Sequence, residues 1–166
     1  MKIIALDSSG LVASVALLED TGLVGEYNIQ YKKTHSQTLL PMLEELKDQV
    51  ELELSTVDAI AIASGPGSFT GLRIGSATAK GLAYALQIPI IDIPTLQGLA
   101  CNLYGTDKLV CPIMDARREQ VYTGIYAFEK KENSGSTEGL REPDSYIMKE
   151  ILSDRPIPIT EIAQHC

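Results

Sequence analysis

Tryptophan is absent from this 166-residue chain and phenylalanine occurs twice, so aromatic residues make up only 5%. Without large rings, the core must be aliphatic and alanine-rich. Histidine is nearly missing as well: His35 and His165 are the two present, far apart and in no ligand pattern. The three cysteines, Cys101, Cys111 and Cys166, are odd in number and lack C-x-x-C pairing. That excludes a disulfide frame and a thiolate zinc site, and fits reduced thiols in a cytoplasmic protein. No apolar run approaches the roughly 20 residues of a membrane-spanning helix. Met1-Lys2-Ile3-Ile4-Ala5 leads straight into a strand pattern instead of a cleavable signal, so no membrane partner is expected. A basic excess is also lacking. At a net charge of −8, the chain does not carry the cationic face that gripping nucleic-acid phosphates requires, which disfavours direct nucleic-acid binding by this chain alone.

A hydrophobic content of 45% with 22% charged residues is that of a soluble globular protein. Three strands are expected at Lys2–Asp7, Leu11–Glu19 and Leu23–Tyr31, the last two joined at Asp20-Thr21-Gly22. Leu39, Leu43, Leu46 and Val50 then recur at helical spacing, with Ser36 or Thr38 as a candidate cap and Pro41 tolerable in the opening turn. Glu44, Glu45, Asp48, Glu51, Glu53 and Asp58 cluster around that helix and its exit, as a solvated acidic face or as a surface for a basic partner. Strand Val57–Ala63, a helix from about Leu72 to Leu86, strand Ile90–Ile93 and a helix over Thr95–Leu103 complete a β-β-β-α-β-α-β-α order. Pro112–Asp115 and Gln120–Tyr126 then echo the opening strand, acidic turn and strand, which divides the chain into 1–104 and 105–166. Beyond a polar loop from Glu129 to Gly139, Tyr146–Leu152 reads as a short helix and Ile157–Ile159 as an edge segment.

The most distinctive stretch is Ser64-Gly65-Pro66-Gly67-Ser68-Phe69-Thr70-Gly71-Leu72-Arg73-Ile74-Gly75, set between a strand and a small-residue helix. Its spacing matches neither dinucleotide nor P-loop fingerprints. It reads as a tight packing turn, with an anion cradle as the alternative. Gly71, Gly75, Ala79 and Ala83 form a smooth stripe, and Gly75 and Gly81 suggest a demand for close approach. Asp7 and Asp115, at strand ends, read as turn-forming carboxylates before they read as metal or nucleotide holders. A Ser68–His35–Asp7 triad can be drawn, but no nucleophile elbow accompanies it. His35 is better placed as a capping or surface residue, and Arg73 as the partner of a carboxylate.

The same stretch resembles the signature of the TsaB (YeaZ) family. Ala5-Leu6-Asp7-Ser8-Ser9, Thr34-His35-Ser36-Gln37-Thr38-Leu39-Leu40-Pro41, Ala77-Thr78-Ala79-Lys80-Gly81-Leu82 and Met114-Asp115-Ala116-Arg117-Arg118-Glu119-Gln120-Val121-Tyr122 match it in family order. The resemblance implies the actin-like ATPase fold (ASKHA, ribonuclease-H-like), a duplicated α/β unit whose second copy is incomplete here because family members usually continue further. It also implies a non-catalytic scaffold or activator subunit in synthesis of tRNA threonylcarbamoyladenosine (t6A). Its partners would be a TsaD-like transferase, a TsaE-like ATPase, a second copy when alone, and tRNA only through the complex. Catalytic TsaD-like relatives carry a His-x-x-x-His metal pair where this chain has Thr95 and Leu99, so no catalytic residue, metal or cofactor is expected. By the same resemblance, two helices form the partner face, at Leu39, Leu43, Leu46, Val50, Leu72, Gly75, Ala79 and Leu82. The glycine turn with Asp7 leaves a rival reading open, a small actin-like enzyme acting as nucleotide-dependent kinase, ATPase or peptidase.

Overall fold

The computed structural model describes residues 1–30, 35–131 and 145–162. The chain divides into two compact units, Met1–Thr95 and Leu96–Cys166. This division precedes the boundary suggested at 104/105, because Leu96 and Ala100 pack with Val110, Tyr126 and Phe128.

In the first unit, β1 (Lys2–Asp7), β2 (Ala13–Glu19) and β3 (Gly22–Ile29) form an antiparallel meander. After α1 (His35–Gln49), strand β4 (Ala59–Gly65) pairs parallel to β1. Helix α2 (Phe69–Leu86) then leads to β5 (Ile90–Pro94), parallel to β4. The spatial order is β3-β2-β1-β4-β5. Alternation explains which face is covered: Ile4, Leu6, Val15, Leu17, Ile60 and Ile62 are buried beneath the helices with Leu39, Met42, Leu43, Leu46, Ala79 and Ala83. Removing a side chain such as Leu46 from this core costs about 2–5 kcal/mol.

The second unit begins in α3 (Thr95–Ala100), whose helix is shorter than expected and ends in a tight 3-10 turn over Cys101–Leu103. Strands β6 (Ile113–Arg117), β7 (Gln120–Lys130) and β8 (Tyr146–Pro158) form an antiparallel sheet in the order β6-β7-β8. The helix expected at Tyr146–Leu152 is therefore corrected to part of a long strand, fixed by its pairing along β7 from Lys130 to Gln120. Most of the expected Glu129–Gly139 loop lies outside the described residues, but Glu129 and Lys130 extend β7. Tyr104 stands edge-on to both Phe128 and Tyr146, with centroids 5.5 Å away in each case. The β6–β7 turn holds Arg117, Arg118 and Glu119 at φ of 67°, 53° and 61°, three successive left-handed residues, none of them glycine.

The fold class is thus the expected α/β, with the elements in β-β-β-α-β-α-β-α order followed by three further antiparallel strands. The turns after β1 and β6 share a detail. Asp7 Oδ1 accepts from the Ser9 N–H at 2.7 Å, and Asp115 Oδ1 accepts from the Arg117 N–H at 2.7 Å. No described helix is long and apolar enough to cross a membrane.

In the second unit, Tyr126 is fully buried and its hydroxyl donates to Asp154. Burial first, then the bond to Asp154, pushes the phenol above its ordinary value of 10.0. The folded state holds this proton where the unfolded state releases it. Its contribution is therefore intact below the unfolded phenol's range and is lost as pH rises beyond it. Urea unfolding followed from about pH 8 to about pH 11 should show wild type losing stability more steeply than Tyr126→Phe. The variant itself costs about 1 kcal/mol at neutral pH. Parallel pH profiles would refute this account.

Candidate functional site

The glycine-rich stretch is built for contact between backbones. Helix α2 begins at the end of β4 and sits directly on the Ser8–Ser9 turn that follows β1. Ser68 N–H donates to Ser9 O at 2.7 Å, Ser8 Oγ donates to Gly71 O at 2.9 Å, and Ser68 Oγ caps the helix by accepting from Gly71 N–H at 3.3 Å. A Cβ on Gly67 would lie 2.6 Å from Ser9 O, and one on Gly71 2.0 Å from Ser8 O. One on Gly75 would lie 2.4 Å from Ser8 Oγ and 2.9 Å from Ile62 Cδ1. Three side chains are forbidden by one turn. The N–H groups of Ser68, Gly71 and Leu72 all have partners within the chain, which supports the packing turn over the anion cradle.

The drawn triad does not assemble. Ser68 Oγ is occupied as a cap, His35 Nε2 bonds to Gly10 O at 2.9 Å, and Asp7 closes its own turn. His35 thus ties the start of α1 to the β1–β2 turn, a contact across 25 residues that no local pattern reveals. Helix α1 begins at His35, earlier than the suggested caps. Thr38 lies inside the helix and donates to His35 O at 3.3 Å. Among the described residues Arg73 pairs with a ring instead of a carboxylate, its guanidinium lying 5.3 Å from the Phe69 centroid. Thr95 and Leu99 fall on α3; Thr95 is buried, with Oγ1 lacking a hydrogen-bond partner among the described residues, and Leu99 is exposed. No cluster of three or more His, Cys, Asp or Glu side chains suited to a metal occurs among the described residues.

Most of the eight expected partner-face residues turn inward. Leu39, Leu43, Leu46, Gly75 and Ala79 are buried against the chain's own sheet, and Val50, Leu72 and Leu82 are half-buried. The reason is helical periodicity: the apolar stripe that makes each helix legible is the stripe its own sheet takes. The outer face of α1 is instead formed by Leu40, 51% exposed, among Gln37, Glu44 and Asp48. That of α2 carries Gly81 and Tyr84, the latter 80% exposed, while Phe69, Arg73, Ala77 and Lys80 line a cleft toward β5. Helices α1 and α2 pack side by side, so these outer faces adjoin. Gly81 differs from Gly75, because a Cβ built on it meets nothing within 4 Å.

Gly71→Ala is expected to destabilise the chain by at least the roughly 1–3 kcal/mol typical of overpacking, since the obstructing atom is a backbone carbonyl. Gly10→Ala, where an added Cβ meets nothing within 4 Å, should be near neutral. Urea midpoints measure both, and equal midpoints would contradict the seating described.

Comparison with known proteins agrees with this architecture. Residues 23–143 match the family model described as TsaD, tRNA N6-adenosine threonylcarbamoyltransferase. The Bacillus subtilis protein named tRNA threonylcarbamoyladenosine biosynthesis protein TsaB is 37% identical, across 96% of this chain and 69% of its own length. The Escherichia coli protein of the same name is 33% identical, across 93% of this chain and 66% of its own. The solved structure of YeaZ from Pseudomonas aeruginosa superposes with a TM-score of 0.74 at 34% identity, covering 95% of this chain and 67% of that one. Another Pseudomonas aeruginosa structure, with the same TM-score and identity, is described as an uncharacterized protein with similarity to peptidase YEAZ. The chain therefore spans about two thirds of the length of these relatives. It belongs to the TsaD family in the broad sense of that model and, within it, to the TsaB (YeaZ) family, whose curated members are named for tRNA threonylcarbamoyladenosine biosynthesis.

Proposed function

We propose that this chain is a non-catalytic subunit in t6A synthesis that holds and activates a TsaD-like transferase through the joined outer faces of α1 and α2. The observation that carries the reading is Gly81. It lies inside an 18-residue helix, where glycine costs about 0.5–1 kcal/mol relative to alanine, yet nothing among the described residues needs its smallness. A second helix packing closely from outside does. Leu40, exposed on the neighbouring helix, supplies an apolar contact beside it. A specific interface needs on the order of 1,000 Å² or more, which favours a two-helix face over a single helix. The same face serves a second copy when the chain is alone, so self-pairing and hetero-pairing compete. A TsaE-like ATPase joins the assembly, and tRNA is reached only through it, in keeping with the net charge of −8 and the acidic exterior of α1.

The rival reading, a small enzyme of the same fold, draws on the neighbour described by similarity to a peptidase. Nucleotide or peptide turnover by the isolated chain, abolished by Asp7→Ala or Ser68→Ala without loss of folding, would favour it.

Co-purification with a TsaD-like protein tests the main reading. Gly81→Leu and Leu40→Glu should each abolish co-elution and the gain in tRNA modification while the free chain stays folded. Gly81→Ala should stabilise the free chain by about 0.5–1 kcal/mol. Undiminished co-elution of Gly81→Leu would remove α2 from the interface.

A further inference from the structure

Strand β5 is the edge of the first unit's sheet, paired on one side by β4 alone. Its sequence, Ile90-Ile91-Asp92-Ile93-Pro94, leaves Ile90, Ile91 and Ile93 exposed at 39%, 38% and 39%. Pro89 O accepts from Ile60 N–H at 3.0 Å. Parallel ladders alternate the side that each residue addresses. Ile91 and Ile93 therefore also face β4, while Ile90 and Asp92 turn their N–H and C=O groups outward. None of these outward groups has a backbone partner outside the ladder among the described residues. Pro89 and Pro94, lacking N–H groups, bracket the open window.

Beside this edge, on the helix-covered face, a cleft of about 640 Å³ lies between β5 and α2. Arg73 and Lys80 reach it from α2, and Phe69 and Ile62 contribute apolar wall. Neither cation forms an ion pair among the described residues. Among the described residues Asp92 is the one carboxylate lining the cleft. In a chain of net charge −8, this is a locally cationic groove along an open strand edge.

We propose that the open edge of β5 is a β-augmentation site for an extended acidic segment of a partner protein, whose backbone pairs with Ile90 and Asp92 and whose carboxylates meet Arg73 and Lys80. The sheet's register specifies the pattern. Residues on the helix side share the face of Ile60, Ile62, Ile90 and Asp92, so the carboxylates belong there. The intervening residues cover Ile91 and Ile93 and should be apolar, giving an alternating acidic and apolar strand. A second copy is a poor occupant, because β5 carries a single carboxylate, Asp92, and so supplies no run of them for Arg73 and Lys80. Polar and cationic residues at a free edge also guard against indiscriminate pairing. Here the cations convert that guard into a choice of partner.

The test uses the full chain and the fluorescein-labelled peptide Ac-Glu-Val-Glu-Val-Glu-NH2, followed by anisotropy. Saturable binding is expected, weakened at least about tenfold by Arg73→Glu with Lys80→Glu. The same peptide N-methylated at alternate amides should lose binding comparably, which separates strand pairing from simple charge attraction. Gly81→Leu should leave the titration unchanged, so failure of the α1–α2 reading and failure of this one are distinguishable. In unmodified protein, hydrogen exchange should slow at Ile90 and Asp92 when peptide is added, a readout independent of any variant's folding. No saturable binding, equal binding of the N-methylated peptide, or unchanged exchange at both amides would overturn the proposal. So would preferential binding of a single-stranded RNA probe to the same two cations, or self-association through β5.

Discussion

The first unit depends on one contact, the seating of α2 on the Ser8–Ser9 turn. Ser9 O receives the Ser68 N–H, Ser8 Oγ reaches Gly71 O, and Gly67, Gly71 and Gly75 leave no room for a side chain between them. That contact sets how close α2 lies to β1 and β4. It thereby decides which stripe of α2 is buried and which is left outside. The signature Ser-Gly-Pro-Gly-Ser-Phe-Thr-Gly is thus first a packing specification. Its conformational freedom serves a backbone-to-backbone approach that a phosphate cradle would also have required, which is why sequence alone left the two readings side by side.

Much of the fold was legible because its signals are local. Strand β1 ends where alternation and Asp7 predict, and α1 and α2 follow from helical apolar spacing. The proposed partner face does not follow by that route. Leu39, Leu43, Leu46, Gly75 and Ala79 stand out because they are periodic, and periodic apolar residues are those the chain's own sheet claims. The signal behind the proposed face is an exception to the pattern: Gly81 sits off the small-residue stripe, and a Cβ on it meets nothing among the described residues. Tyr146–Leu152 was misassigned for a related reason. Its apolar residues satisfy helical and extended spacing alike, and six paired positions on β7, distant in sequence, settle the matter.

The first unit also has electrical sidedness. Glu44, Glu45 and Asp48 are exposed on α1, whereas α2 presents Arg73 and Lys80 toward the β5 edge. Neutralising contacts between these groups are not what holds the unit together, since its core is the aliphatic layer between helices and sheet. The unit thus has an acidic flank on α1, where Asp48 already pairs with Lys47, and a cationic edge on α2. This separates two surfaces that a single net-charge figure merges.

Arg117, Arg118 and Glu119 hold left-handed backbone in succession, at about 1 kcal/mol or more each for residues with a Cβ. Glycine would relieve that burden, so selection for heat resistance alone would erode these side chains. Lineages that keep two arginines at the hairpin tip while living hot would record a competing demand on that tip, and a survey of thermophilic sequences would weigh the two pressures against each other.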